Sequence, residues 1–252
     1  MEYYIYVSDT KINMLYEQIP TRLRDKLATE LKIDLKLFST TFSEQPTDKT
    51  RFAKCKLVSD YIEKHKPVGT IDSPEMYFKG EINMRWGPYG FGDEQIVYFG
   101  GGTKHTVLGL GGSINHIIGN QGDSKIHSRS ITPYLVAVLV KQLALQVPSS
   151  FPGKPNTLNS MEFDEYQRTG HYSSGHTAIE QKRDVRYYSQ DERLTLDAVA
   201  YATVNMPGTT QKLKFLAKKL LFSGDYPNQD IWSRQSNSET LLGTPICVSM
   251  AE

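Results

Sequence analysis

The sequence has few cysteines, no long apolar run and almost no net charge, and each absence excludes a class of protein. Two cysteines among 252 residues, Cys55 and Cys247, argue against a disulfide framework or a cysteine-rich metal site. Both lie in apolar periodic segments, which is typical of reduced core thiols. The formal net charge is +1, so no global field attracts nucleic acid, and the sequence carries no strong signal for a nucleic-acid partner.

Membrane and export signals are also absent. The longest apolar run, at 134–145, is interrupted by Lys141 and falls short of the roughly 20 residues that cross a bilayer. The opening MEYYIYVSD lacks the basic start and apolar centre of a signal peptide. These features predict a cytoplasmic protein with no membrane partner.

The first part of the chain alternates between strand and helix patterns. Period-two alternation predicts strands at 3–7 and 33–42, and a further short strand is expected after Pro67. Helical spacing predicts helices between these strands, the first of them capped by Ser8 or Asp9.

From residue 76 onward the alternation of strand and helix patterns ends. Three consecutive strands within 76–118 predict an antiparallel meander, with Gly100, Gly101 and Gly102 at a tight strand junction. Helices are expected after Thr132 and from 189 to about 205, and a closing strand at 240–250. One more helix is predicted from the spacing of Leu213, Leu216, Ala217 and Leu220.

These elements predict an α/β protein, with α+β as the alternative, built on a mixed sheet with packed helices. Residues 148–188 hold three prolines and no sustained period, so they are expected to form a long irregular excursion. The closing strand is expected to complete the same core as the meander. We therefore predict one domain over 1–252.

Several segments together resemble a family of uncharacterised, mainly bacterial proteins of unknown function. The resemblance is carried by YYIYVSD, MRWGPYG, VYFGG, LGLGGSINHIIG and LGTPICV, in this order along the chain. It spans most of the sequence and is weakest over 148–188. It implies no reaction or ligand, so no catalytic residue is transferred to this chain.

The glycines of 96–119 have two interpretations. Gly111 and Gly112 lie inside a predicted strand, where glycine is unfavourable, so a neighbour should approach closely. That neighbour is either another part of the chain in a plain hairpin, or an anion bound by the amides of Gly111, Gly112 and Ser113 at the edge of a pocket. The sequence contains neither a P-loop nor a dinucleotide-binding glycine motif.

Histidines form a second candidate site. His105, His116 and His127 lie within or beside the meander, and an imidazole serves as a general acid or base near neutral pH. Asp123 is the expected orienting carboxylate, and Arg129 is expected to bind or stabilise negative charge. The alternative is that these histidines contribute only to packing in the protein interior.

Two further groups complete the candidates for ligand binding. The end of the first strand and the start of the next helix bring together Ser8, Asp9, Thr10 and Lys11. Lys11 is unusual there, because a cation in the first turn opposes the helix dipole. Arg85 and Trp86, in a turn-rich aromatic segment, suit stacking on a base or covering a sheet edge.

The residues therefore favour a ligand-binding or regulatory module for a nucleotide or another phosphorylated small molecule. The first alternative is a phosphodiesterase-like hydrolase that uses histidine acid and base chemistry. The second is a structural protein-interaction domain. A small anionic ligand, a protein partner or a homo-oligomer is possible, whereas no cofactor and no metal site is predicted.

Overall fold

The computed structural model describes residues 2–33, 48–90, 95–119, 131–146, 190–225 and 238–251. Its strands are β1 (Tyr4–Val7), β2 (Val68–Gly69), β3 (Tyr77–Tyr89), β4 (Ile96–Gly102), β5 (Thr106–Ser113), β6 (Gln211–Phe222) and β7 (Glu239–Met250). Its helices are α1 (Asp9–Gln18), α2 (Thr21–Glu30), α3 (Asp48–His65), α4 (Ile131–Gln146) and α5 (Gln190–Asn205). The predicted α/β class is confirmed.

The mixed sheet closes into a barrel. β3, β4 and β5 form the predicted antiparallel meander, and β5 continues in parallel with β7. β7 then pairs antiparallel with β6, and β6 returns antiparallel to β3, so five strands form a closed circuit. β1 extends the sheet on β7 and β2 on β3. The late strands β6 and β7 thus complete the barrel that the meander begins.

Side chains alternate between the inside of the barrel and two outer helix layers. On β4, Val97 and Phe99 lie in the inner core, whereas Ile96 and Tyr98 face outward. This alternation follows from the two-residue period of a strand. Both faces of β4 are apolar because both are covered.

The helices cover two separate parts of the outer surface. Helices α1, α2 and α3 pack in one cluster that includes Val7, Ile246 and Cys247. Helices α4 and α5 pack in another with the outward residues of β4 and Leu242. The apolar run of α4 is therefore a buried helix, as its composition predicts.

The segment Gln211–Phe222 is strand β6, so the helix predicted there is wrong. Leu213, Phe215 and Ala217 are every second residue of the strand and lie in the barrel core. Leu216 and Leu220 lie on the outer face of the barrel, where the helix layers cover them, and this leaves apolar residues at helix-like spacing. Pairing with strands on both edges decides the conformation, because tertiary contacts override local propensity.

The turn between β4 and β5 is also displaced from its predicted place. Gly100, Gly101 and Gly102 belong to β4 itself, and the turn follows at 103–105. Thr103 closes this turn by donating its backbone N–H to the carbonyl of Thr106 at 2.9 Å. The glycines instead permit close packing, since a Cβ at Gly100 would lie 3.0 Å from the Cα of Thr203 in α5.

Two predicted segments lie largely or wholly outside the described residues. These are the strand at 33–42, of which only residue 33 is described, and the excursion at 148–188.

Candidate functional site

Strands β1 and β5 both pair with β7, and their pairings with it end close to each other. β5 runs along β7 as far as the pair Leu110 and Gly243, and β1 pairs with β7 from the other direction as far as Val7 and Cys247. Between these pairs lies the short β7 stretch 244–246. Residues from both strand ends, α1 and α3 gather around it, and we name this group the strand-end site: Tyr6, Ser8, Asp9, Lys11, Arg51, Ser113, His116 and Thr244.

The hydroxyl of Tyr6 lies at the centre of this site. It lies 3.4 Å from Nδ1 of His116, and the Ser8 hydroxyl and the backbone N–H of Ser113 are close enough to lower its pKa against the effect of burial. The side chain is fully buried. Burial raises the pKa of Tyr6, so the phenol stays protonated at neutral pH.

A close neighbour is expected beside the strand glycines Gly111 and Gly112, and in both cases it is a side chain of the protein itself. A Cβ at Gly112 would lie 2.3 Å from the Tyr6 hydroxyl oxygen, and a Cβ at Gly111 would lie 2.1 Å from Cδ1 of Leu135 in α4. Gly112 therefore makes room for Tyr6 and Gly111 for a helix. Packing inside the fold accounts for both glycines.

The backbone here does not form an anion-binding nest. Gly111, Gly112 and Ser113 stand in register with β4, opposite Tyr98, Val97 and Ile96. The positive-φ glycines among the described residues are at other positions. A nest requires successive amides that converge through a left-handed residue, whereas amides in a strand point alternately to its two sides.

Lys11 places a largely buried ammonium group in the site. Its Nζ donates to Oγ of Ser8 at 3.4 Å and to the carbonyl of Pro245 at 3.3 Å. Both partners are neutral oxygens, and Asp9 in the same helical turn pairs with Arg51 instead. Burial, followed by the charge of Lys218, lowers the pKa of Lys11 to about 8.

Two residues of the barrel wall adjoin this ammonium group. Lys218 of β6 stands opposite Thr244 of β7, next to the Pro245 carbonyl that Lys11 contacts. The hydroxyl of Thr244 is buried and has no hydrogen-bond partner among the described residues. Buried hydroxyl groups normally have a partner, and this one is free to form a further hydrogen bond.

Arg51 connects α3 to both strand ends. Its Nε lies 2.8 Å from Oδ1 of Asp9. Its Nη2 donates to the carbonyl of Val7 at 2.9 Å and to that of His116 at 3.3 Å. The guanidinium thus contacts groups on three segments at once, through donors that are held in one rigid plane.

His116 is buried at the C-terminal end of a short 3-10 turn, Ile114–His116. Desolvation, followed by the charges of Lys11 and Arg51, lowers the pKa of His116 to about 4. The imidazole is therefore neutral at pH 7. Cations lower the pKa values of both His116 and Lys11, so the site has a positive local potential.

The start of α1 differs from the predicted cap. Ser8 occupies the N-cap position, but its side chain makes no capping hydrogen bond. Its hydroxyl instead contacts Tyr6 and Lys11. Thr10 is exposed, away from the buried part of the site.

The other described residues that were predicted for a site lie away from the strand-end site. His105 lies in the turn before β5 and His116 beyond its end, so the full strand separates them. Arg85 donates to the carbonyl of Met206 at 3.3 Å, and Trp86 stacks on Phe99 within the barrel core. Three predicted residues lie outside the described ranges: Asp123, His127 and Arg129.

Sequence reasoning missed Tyr6, Arg51, Thr244 and Lys218. Arg51 stands at helical spacing from the apolar residues Cys55 and Val58 of a predicted helix. An arginine on such an apolar face is a signal that the sequence does contain. Tyr6 and Thr244 fall in predicted strands and Lys218 in the segment predicted as a helix, so none of the three stands out in the sequence. Only the closure of the barrel brings them beside Lys11.

Neither a metal-binding cluster nor a membrane-spanning helix is present among the described residues. No three His, Cys, Asp or Glu side chains there are grouped closely enough to hold a metal ion. In the same ranges, no helix has the length and apolar character that a membrane span requires.

Comparison with known proteins identifies the family. The chain belongs to DUF7019, a family of unknown function, whose model matches residues 2–252. No curated protein and no solved structure matches the chain.

Proposed function

We propose that this member of the DUF7019 family is a binding module for a small anionic ligand, namely a nucleotide or another phosphorylated small molecule, held at the strand-end site. The observation that carries the proposal is the largely buried ammonium group of Lys11, whose partners are two neutral oxygens at long hydrogen-bond distances. A buried charge is costly unless an opposite charge accompanies it. A phosphate group supplies that charge.

The electrostatics of the site support an anion. Lys218 lowers the pKa of Lys11, and Lys11 with Arg51 lowers the pKa of His116. Asp9 offsets part of this positive charge through its pair with Arg51. A bound anion relieves the remaining repulsion and shifts both pKa values upward.

The neighbouring hydrogen-bonding groups are also suited to phosphate. The Ser8 hydroxyl is not used as a helix cap, and the Thr244 hydroxyl has no partner among the described residues. The site adjoins the N-terminus of the ten-residue helix α1, where the helix dipole favours negative charge. Oxygen atoms of a phosphate accept hydrogen bonds from hydroxyl and ammonium groups alike.

Calorimetric titration with inorganic phosphate and a panel of nucleotides tests the proposal. Lys11→Met removes the charge and keeps most of the stem, and we expect it to weaken binding about tenfold or more, as the loss of a charged hydrogen bond does. Lys218→Met is expected to weaken binding less. Lys214→Met is the matched control on the same strand, because Lys214 pairs with Glu2 instead. Unchanged affinity in Lys11→Met would contradict the proposal.

Proton NMR of His116 gives an independent measurement. Its pKa of about 4 is expected to rise when phosphate occupies the wild-type site. The same phosphate concentration should move the His116 resonance less in Lys11→Met, in proportion to the weaker binding. A phosphate-independent His116 titration in the wild type would place any bound anion elsewhere.

A hydrolase remains the second candidate, because His116 is neutral at pH 7 and can accept a proton there. Release of phosphate or alcohol from a phosphodiester, abolished in His116→Gln while affinity persists, would favour the enzyme. Ligand binding without turnover favours the binding module. Failure of every anion to bind would leave the protein-interaction alternative as the better explanation.

A further inference from the structure

A cavity of about 440 Å³ lies between α3 and the barrel wall. We name it the α3 cavity. Charged pairs stand around it, including Lys79 with Glu63 and Lys214 with Glu2. Cys247 and Ser59 also line it. The volume exceeds the roughly 30 Å³ share of a water molecule many times, so small solutes fit inside.

Two cysteines that are far apart in the sequence meet beside this cavity. Cys247 lies on β7 and Cys55 on α3, both belong to the same buried cluster, and each thiol is the largest influence on the pKa of the other. Ser59, one turn beyond Cys55 on α3, places its Oγ 3.8 Å from Sγ of Cys247. Cys247 lines the cavity, whereas Cys55 is fully buried behind it.

We propose that Cys247 is a site of oxidation by hydroperoxides that enter the α3 cavity, and that Cys55 resolves the oxidised sulfur into an intramolecular disulfide. The arrangement separates the two roles by access, since one thiol faces the cavity and the other lies behind it. Nothing in this inference depends on the anion site at Lys11.

The chemistry is balanced with a hydroperoxide as the oxidant. The Cys247 thiolate attacks one peroxide oxygen, so the S–O bond forms as the O–O bond breaks, and the leaving alkoxide or hydroxide takes up a proton. The Cys55 sulfur then attacks Cys247, forming the S–S bond. The departing hydroxide takes the Cys55 proton and leaves as water. Two thiols are oxidised and one hydroperoxide is reduced.

Access to the cavity assigns the attacking thiol. Cys247 lines the α3 cavity, whereas Cys55 is completely buried and is not part of the lining. The influence of the neighbouring thiol acts in the same direction, since it lowers the pKa of Cys247 and, together with burial, raises the pKa of Cys55. The thiolate is the nucleophile, so Cys247 is the group that reacts first.

Peptide mapping of the wild-type protein tests the product. The reduced, folded protein is treated with hydrogen peroxide, blocked with an alkylating reagent after denaturation, and digested without reductant. We expect a linked peptide pair that contains Cys55 and Cys247, at a yield independent of protein concentration. Two alkylated cysteines after treatment, or only linkages between separate chains, would overturn the proposal.

Single variants test the order of events. In Cys55→Ser, dimedone should label Cys247 as a trapped sulfenic acid, at a rate about tenfold above that of Cys55 in Cys247→Ser. Equal or faster labelling of Cys55 would reverse the assignment. Ser59→Ala is expected to slow the labelling of Cys247, and thermal melts establish that each variant is folded. If either cysteine variant does not fold, the wild-type peptide map decides the proposal alone.

Discussion

The hydroxyl of Tyr6 occupies the space that a side chain at Gly112 would need. A Cβ there would lie 2.3 Å from the phenol oxygen and 2.8 Å from the adjacent ring carbon. Both residues are completely buried or nearly so, on strands that end at the same point of the barrel. The absence of a side chain at 112 thus allows Tyr6 to reach Ser113 and His116.

We expect Gly112→Ala to destabilise the fold. Overpacking of a buried site typically costs about 1 to 3 kcal/mol, and the Tyr6 ring is held by the barrel core. Removing the hydroxyl with Tyr6→Phe should eliminate the closest of these contacts and so relieve part of the clash. In the double variant the free energy of unfolding is expected to exceed the additive value by about 1 kcal/mol or more.

Gly87→Ala is the matched control for this prediction. Gly87 is also a buried strand glycine, but a Cβ there would meet only Cε of Met206, at 3.4 Å. Urea denaturation should show little change for this variant. If both alanine variants were equally stable, the clash with Tyr6 would not limit position 112.

Because of Lys11, the free energy of unfolding should change with pH in the alkaline range. Its pKa is about 8 in the fold against an ordinary value of 10.5, so the unfolded chain binds more protons between these values. The free energy of unfolding therefore rises with pH through this window, relative to Lys11→Met. Below pH 8 the destabilisation by the buried charge is fully present, and the variant should be the more stable protein. Parallel curves for the two proteins from pH 8 to 10.5 would contradict this.

His116 should have the corresponding effect in acid. Its pKa is about 4 in the fold against an ordinary value of 6.5, so the unfolded chain again binds more protons in between. The contribution of the neutral ring to stability is complete above pH 6.5 and is lost as the pH falls towards 4. Denaturation curves of His116→Gln should show a shallower acid dependence than those of the wild type.

We expect Arg51→Met to weaken the attachment of α3 to the ends of β1 and β5. The change leaves the carbonyls of Val7 and His116 without their charged donor, and the loss of such bonds costs about 1.5 to 3 kcal/mol. Lys54→Met, on the same helix, is the control, since the contact of Lys54 with Asn13 is exposed. Thermal melts that rank the two variants equally would show that Arg51 does not hold these segments together.

Phe215→Ala tests the conformation of β6. Phe215 is 3% exposed in the barrel core, and truncating a buried phenylalanine costs about 3 to 5 kcal/mol. Lys218→Ala, at an exposed position of the same strand, should change the free energy of unfolding by less than about 0.5 kcal/mol. Similar effects at both positions would not fit an inward-facing Phe215.

Much of the architecture follows from local patterns in the sequence. The β-branched and aromatic residues of β1 and β4 predict strands. The helical spacing of Ile12 and Tyr16 predicts α1, because burial repeats with the period of the backbone. The same reasoning identifies Lys11 as an unusual residue, since its position against the helix dipole is a local property.

Where local patterns conflict with pairing, only the tertiary structure decides. The spacing of Leu213, Leu216 and Ala217 suits a helix, but the ladders with β3 and β7 make β6 a strand. Likewise Gly100 to Gly102 suit a turn by composition, yet they lie in a strand that packs against α5. Contacts between distant segments outweigh propensities that differ by less than about 1 kcal/mol per residue.

The sequence by itself determined which residues have unusual chemistry, and the tertiary structure decided which of them meet. Ser8, Lys11, Ser113 and His116 are visible as candidates in separate segments, but nothing in their spacing shows that β1 and β5 end at the same stretch of β7. The contact between Cys55 and Cys247 is equally non-local. Barrel closure joins strands from both ends of the chain, and such long-range pairings leave no period in the sequence from which they can be predicted.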